Sequence, residues 1–166
     1  MAATQREPWL SAEQQRHWRA YLAGTARLTE ALNRQLERDA GLSLSEYEIL
    51  VRLSEAPARS VRMSELARSL VQSRSRISHT VTRLERRGLV ERRTYPADGR
   101  GVSCVLTEQG FGVLAAAAPG HVEAVRAELV DRISDAQLRA LGEAMSTVAP
   151  PGPGPEQGAG WERLDP

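Results

Sequence analysis

From Ser64 to Leu106 the hydrophobic pattern of this chain switches from helical to alternating, and no other feature restricts the fold as tightly. Leu66, Ala67 and Leu70 mark a short amphipathic helix over Ser64–Leu70, because a helical period brings them to one face. After a brief turn, Ser73 stands as the N-cap of a longer helix that reaches Arg87, with Gly88 placed to stop it. Ile77, Val81 and Leu84 form one stripe on that helix and are expected to face a core and the preceding helix. Leu89–Tyr95 and Val102–Leu106 are then rich in β-forming residues. They flank the turn-forming run Pro96-Ala97-Asp98-Gly99-Arg100-Gly101, which predicts a β-hairpin.

Further helices flank this unit. Ser11-x-x-Gln14 is a capping-box pattern, and behind it Trp18, Leu22, Leu28, Leu32 and Leu36 recur at helical spacing until Gly41. A second box, Ser43-x-x-Glu46, opens a helix carrying Tyr47, Leu50 and Leu53, which Pro57 stops. Thr107 caps a long helix reaching about Asp131. Within it, Pro119-Gly120 predicts a kink or local break, since proline lacks a donor and its ring crowds the preceding turn. A last helix starts behind Ser134-x-x-Gln137 and ends near Val148. Aromatic residues make up only 4% of the chain, so a core must come from Leu, Val, Ile and Ala, which favours packed helices and a mainly α fold. Residues 1–8 are expected to be disordered, and the Pro/Gly run that opens residues 150–166 predicts a flexible tail.

The charge is uneven. Overall it is +1, but residues 59–106 hold 11 arginines against four acids, a net +7, which leaves −6 for the remainder. A basic block in an acidic protein suits a polyanion binder, although composition alone suits a solvated charged face equally well. The fourth helix favours the first reading. Opposite its apolar stripe it presents Ser75, Arg76, Ser78, His79, Thr82, Arg83 and Arg86, with Ser73 and Arg74 at its start. Exposed faces usually alternate acids and bases for local pairing. Here Glu85 is the only acid between Ser73 and Gly88, against five arginines. Such a face suits the major groove of double-stranded DNA: Arg donates bidentately to guanine, while Ser, Thr and His reach phosphates or base edges. Arg92 and Arg93 lie on the incoming hairpin strand and Arg100 at its tip, where an arginine suits the negative potential of a narrow minor groove. Asp98 is placed to orient the Arg100 guanidinium through a charge-assisted bond.

Other chemistries find little support. The chain has no lysine, which excludes a P-loop lysine, a Schiff-base lysine and a Ser-x-x-Lys nucleophile. Cys104 is the only cysteine, and His17, His79 and His121 lack ligand-like spacing, so neither metal nor cofactor is expected, and no enzyme. Cys104 alternates with Val102 and Leu106, which suggests a small buried hydrophobe rather than a redox sensor. No apolar stretch suits a secretory leader or a bilayer span, so the expectation is a cytoplasmic, nucleoid-associated protein without a membrane partner.

Ser64-Glu65-Leu66-Ala67-x-x-Leu70, Ser73-Arg74-Ser75 and Leu84-Glu85-x-x-Gly88-Leu89-Val90-x-Arg92 resemble the winged helix-turn-helix of MarR-family transcriptional regulators. Asp98-x-Arg100, followed by Leu106-Thr107-Glu108-x-Gly110, resembles that family's wing signature, and the likeness runs from about Trp18 to Val148. Arg62, where many members carry a Thr cap, and Gly101 after Arg100 depart from the pattern. The resemblance implies a winged helix-turn-helix DNA-binding domain over residues 43–106, with a short β-hairpin wing. It implies a homodimer built by helices in 9–42 and 107–149, a recognition helix in the major groove and Arg100 in the minor groove. It also implies control by a small effector, lipophilic or phenolic.

The apolar excess on the terminal helices supports dimerisation. A two-fold dimer would set its recognition helices roughly 34–36 Å apart, matching a pseudo-palindromic operator. Trp9, His17, Trp18 and Tyr21 cluster near the start of the first helix, either lining an effector pocket or forming interface core. The expected function is a sequence-specific regulator, a repressor by family analogy. An architectural DNA-binding protein, or a helical dimer with a vestigial wing, stands as the alternative.

Overall fold

The structure is a computed structural model that describes residues 9–94 and 101–148. The expected disordered segment 1–8, the tail 150–166 and the hairpin tip with Asp98 and Arg100 lie outside the described residues. The described residues form six α-helices: α1 (Ala12–Ala40), α2 (Leu44–Glu55), α3 (Met63–Ser69), α4 (Arg74–Arg86), α5 (Glu108–Glu128) and α6 (Asp135–Val148). Three strands, β1 (Ser60–Arg62), β2 (Val90–Thr94) and β3 (Val102–Leu106), pair antiparallel in the order β1-β3-β2. The result is the expected mainly α fold, with α3, a turn, α4 and the β2–β3 hairpin in winged helix-turn-helix order.

The caps read from the sequence form. Ser11 and Ser43 close complete capping boxes with Gln14 and Glu46. Ser73 Oγ accepts from Arg76 N, and Thr107 Oγ1 from Gly110 N. Gly41 and Gly88 end α1 and α4 in the left-handed region, at φ 62° and 72°, where a side chain would be strained.

Three features differ from expectation. α5 passes through Pro119 without the expected break and stops at Glu128, before a short 3-10 turn at Val130–Arg132. One donor is lost at Pro119, but Leu114, Ala117, Ala118 and His121 are buried from this helix, which packs on α1 and α2. That packing holds the helix together. α3 begins at Met63 with Arg62 as N-cap, one residue ahead of the expected Ser64, and Arg62 makes no side-chain cap bond. β1 was not foreseen, because three residues after Pro57 are too short to show a period. It pairs with β3 through Ser60↔Val105, Val61↔Cys104 and Arg62↔Ser103.

The core lies where α2, α4, the sheet, the last turns of α1 and the first half of α5 meet. Leu36, Leu50, Leu53, Leu66, Ile77, Leu84, Leu89 and Leu114 are among its largest fully buried members. Gly110 lets α5 close on the hairpin: a Cβ there would lie 2.0 Å from Leu89 O, well inside contact distance. Thr107 Oγ1 fastens the same junction by donating to Gly88 O and Leu89 O at 2.7 and 3.1 Å. In contrast, from Ala12 to Glu30 no residue of α1 is buried, and none of α6 is.

Candidate nucleic-acid interface

α4 divides as its sequence predicts. Ile77, Thr80, Val81 and Leu84 are buried, whereas Ser73, Arg74, Ser75, Arg76, Ser78, His79, Arg83 and Arg86 are exposed. Thr82 is half-buried, and its hydroxyl donates to Ser78 O at 2.8 Å. Arg74, Arg76 and Arg86 form no ion pair among the described residues, although the Arg76 charge is felt by Glu48 of α2, which leaves their guanidinium groups open to an external anion.

The remaining arginines of α4 and β2 are held. Arg83 Nε donates to Glu46 Oε1 at 3.1 Å. Glu46 is buried, yet Ser43 N and Ser43 Oγ also donate to its carboxylate, at 2.8 and 3.0 Å. Burial alone would raise its pKa; the bonds from Ser43 and the Arg83 guanidinium more than offset this and hold it below the usual 4.5. Arg92 on β2 turns back to α4, where it pairs with Glu85 and donates from Nη2 to Ser78 O and Thr82 Oγ1 at 2.9 and 3.0 Å. Arg93 pairs with Glu91 and stays exposed. Of the basic residues on β2, the structure brings Arg92 against α4, while the tip residues Asp98 and Arg100 are not described.

A cleft of about 570 Å³ opens between α3, α4 and the base of the hairpin, lined by Arg62, Ser64, Arg74, Ser78 and Arg92 among others. Sequence reasoning did not place Arg62 or Ser64 there. The missing signal was β1, which carries Arg62 to the sheet edge beside Gly101. Arg87 was also passed over; its Nη1 donates to Gly41 O at 2.9 Å and ties the end of α4 to the α1–α2 corner.

The candidate effector residues lie elsewhere, on the outer part of α1. Trp9, Trp18 and Tyr21 are exposed, Trp18 and Tyr21 stack with ring centroids 5.7 Å apart, and His17 lies 3.8 Å from Glu13. One protomer does not enclose them. A buried polar group that periodicity had not revealed sits at the α1–α2–α5 junction. There, His121 Nδ1 lies 3.3 Å from Gln35 Oε1 and the His121 ring packs on Tyr47, centroids 4.4 Å apart. Burial lowers the His121 pKa and pushes the Tyr47 hydroxyl up to about 12. Cys104 is fully buried, and burial likewise pushes its thiol up to about 12, as a packed hydrophobe rather than a reactive thiolate requires. No helix among the described residues is long and apolar enough to cross a membrane.

Residues 40–101 match the sequence profile of the MarR family. The HTH-type transcriptional repressor YetL of Bacillus subtilis (strain 168) is 31% identical over 112 residues, which are 66% of this chain and 67% of that protein. The structure is similar to that of Sco3205, a MarR family transcriptional regulator from Streptomyces coelicolor solved in complex with DNA. The TM-score is 0.84 and the identity 46%, covering 88% of this chain and 91% of the other. AbsC, a MarR family transcriptional regulator from the same organism, superposes with TM-score 0.80 at 40% identity, covering 85% of this chain and 95% of its own. The chain is therefore a winged helix-turn-helix protein of the MarR family of transcriptional regulators.

Proposed function

We propose that the protein is a sequence-specific transcriptional repressor that binds a pseudo-palindromic operator as a homodimer. The observation that carries this reading is the exposed side of α4. Arg74, Arg76 and Arg86 stand there without ion-pair partners among Ser73, Ser75, Ser78 and His79, and the only acid of the helix, Glu85, pairs with Arg92. In this reading α4 enters the major groove, with Thr82 and Arg83 completing its contact surface. Arg93 and the tip pair Asp98 and Arg100 address the backbone and the minor groove. The DNA complex of Sco3205, at 46% identity, supports the DNA-binding part, and the repressor YetL supports the sign.

Residues 43–106 form the DNA-binding unit, and helices within 9–42 and 107–149 form the dimer. The support lies in α1 and α6, which leave Trp18, Tyr21, Leu22 and Leu141 exposed in the protomer, as is Leu10 just before α1. A second copy would cover them. A lipophilic or phenolic effector bound near Trp9, His17, Trp18 and Tyr21, once a partner closes over that end of α1, would modulate affinity. The site of action is chromosomal DNA in the cytoplasm.

The experiment is selection of genomic fragments bound at physiological salt, followed by footprinting of the recovered site. Protection of one short dyad-symmetric site supports the proposal. Uniform coating overturns it in favour of an architectural protein, and a stable monomer that ignores duplexes even at low ionic strength overturns it altogether.

A further inference from the structure

Glu85 is an acid on a helix whose proposed partner is a polyanion, and by charge alone it weakens binding. Its contacts suggest why it stands there. The Glu85 carboxylate accepts twice from one residue: Oε1 from the backbone N of Arg92 at 3.1 Å, and Oε2 from the Arg92 guanidinium. The other guanidinium nitrogen reaches Ser78 O and Thr82 Oγ1. Ser78, Thr82 and Glu85 follow one another at i, i+4 and i+7, so a single side chain runs along two turns of one face of α4. Main chain and side chain of β2 are both fastened to the helix at this point.

The location matters because β2 leads to the wing tip. Strands rise about 3.3 Å per residue, so the described end of β2 at Thr94 lies only about 7 Å beyond Arg92, and its direction follows from how Arg92 is held. The Arg92 side chain is 25% exposed and Glu85 37%. The guanidinium is thus largely enclosed by the helix that it braces, unlike the unpaired Arg74, Arg76 and Arg86.

We propose that Glu85 and Arg92 are a positioning pair that sets the wing against α4, and that Arg92 is not a phosphate contact. This replaces the direct DNA role that the sequence pattern gives Arg92, and it rests on the proposed DNA-binding function. The negative charge of Glu85 then favours DNA binding, against simple electrostatics.

The test compares the full-length chain with Glu85→Ala, Arg92→Ala and the double variant. The probes are a 30-base-pair duplex carrying the site recovered by genomic selection and a mixed-sequence duplex of the same length. Kd is measured over a salt series, with thermal unfolding in parallel. Each single variant is expected to weaken site binding about tenfold, which is roughly 1.4 kcal/mol, and to lower the ratio of site to mixed-sequence affinity. The slope of log K against log salt should not change. The double variant should be no weaker than the weaker single, as two halves of one contact require. A loss of stability alone would lower the melting temperature without moving the affinity ratio of the folded protein.

Tighter or unchanged binding by Glu85→Ala overturns the proposal. So does a salt slope shallower by about 1 in Arg92→Ala, the mark of a direct phosphate contact. If either alanine variant fails to fold, Glu85→Gln and Arg92→Lys give the same readout, each keeping only part of the contact. If the unmodified protein binds neither duplex, the DNA-binding reading fails with the proposal; if it binds and Glu85→Ala tightens, only the positioning pair fails.

Discussion

Arg83 Nε donates to Glu46 Oε1 across 3.1 Å, so a side chain of the exposed α4 face is anchored on a buried carboxylate of α2. The anchor leaves Arg83 56% exposed. It fixes the side chain through Nε while more than half of its surface stays open to solvent, which lowers the conformational entropy lost when a ligand is met.

Replacing Arg83 by alanine is therefore expected to act on DNA binding far more than on folding. Site affinity should fall by about 1–3 kcal/mol. Stability should fall by only about 1 kcal/mol, because solvent screens the half-exposed Arg83 end of the pair and the buried Glu46 keeps both Ser43 donors. Fluorescence anisotropy with a site duplex and urea denaturation measure the two quantities, and a reversed order would assign Arg83 to the fold.

Much of this fold is legible in the sequence because it is local. Ser11, Ser43, Ser73 and Thr107 satisfy helix amides within three residues of themselves, and the Ile77-Val81-Leu84 stripe follows from helical spacing alone. What escaped depends on distance. β1 exists only because β3 offers it a partner 41 to 45 residues away. Pro119 stays helical because of packing on other helices. Arg92 carries the same charge as Arg93, and a basic strand looks uniform until α4 lies beside it, whereupon one arginine turns inward and its neighbour stays out. The Gln35–His121 contact spans 86 residues and has no local signature.

That contact predicts a pH dependence. Burial holds the His121 pKa below its usual 6.5. Between 6.5 and the folded value the unfolded chain binds a proton that the folded chain does not, so acidification favours unfolding. The contribution is fully present above the unfolded pKa and is lost as pH falls through the folded one, with a slope of up to about 1.4 kcal/mol per pH unit. Urea midpoints measured from about pH 7.5 down to about pH 5 should show this decline, and His121→Gln should flatten it. An equal slope in the variant would assign the effect to other groups. Glu46 acts only lower, since its depressed pKa puts its contribution at risk below about 4.5.

Gly110 makes a steric prediction. Adding one methyl group places Cβ 2.0 Å from the Leu89 carbonyl oxygen and 2.8 Å from Leu106 Cδ1, so α5 or the hairpin must move. Gly110→Ala should destabilise the protein by about 3 kcal/mol or more, despite the better helix propensity of alanine. Thermal denaturation reads the loss. A neutral or stabilising result would show that the α5–hairpin junction gives way easily, and would also weaken the argument that the wing is rigidly placed.

The dimer prediction turns on a residue whose alteration is free of consequence in one protomer. Leu22 is 47% exposed on α1, within the stretch where nothing in the protomer buries the helix. Glutamate has helix propensity close to that of leucine, so Leu22→Glu should leave an isolated protomer folded, with an unchanged far-ultraviolet circular dichroism spectrum. In a two-fold interface the same change places two carboxylates in an apolar contact, where unpaired charges are strongly disfavoured. Sedimentation should then find a monomer. Site affinity should fall by more than about 100-fold, because a single α4 reads one half-site and loses the gain from linking two. Mixed-sequence binding at low ionic strength should persist, since the arginines of α4 are untouched. A Leu22→Glu protein that still sediments as a dimer would move the interface off this face of α1.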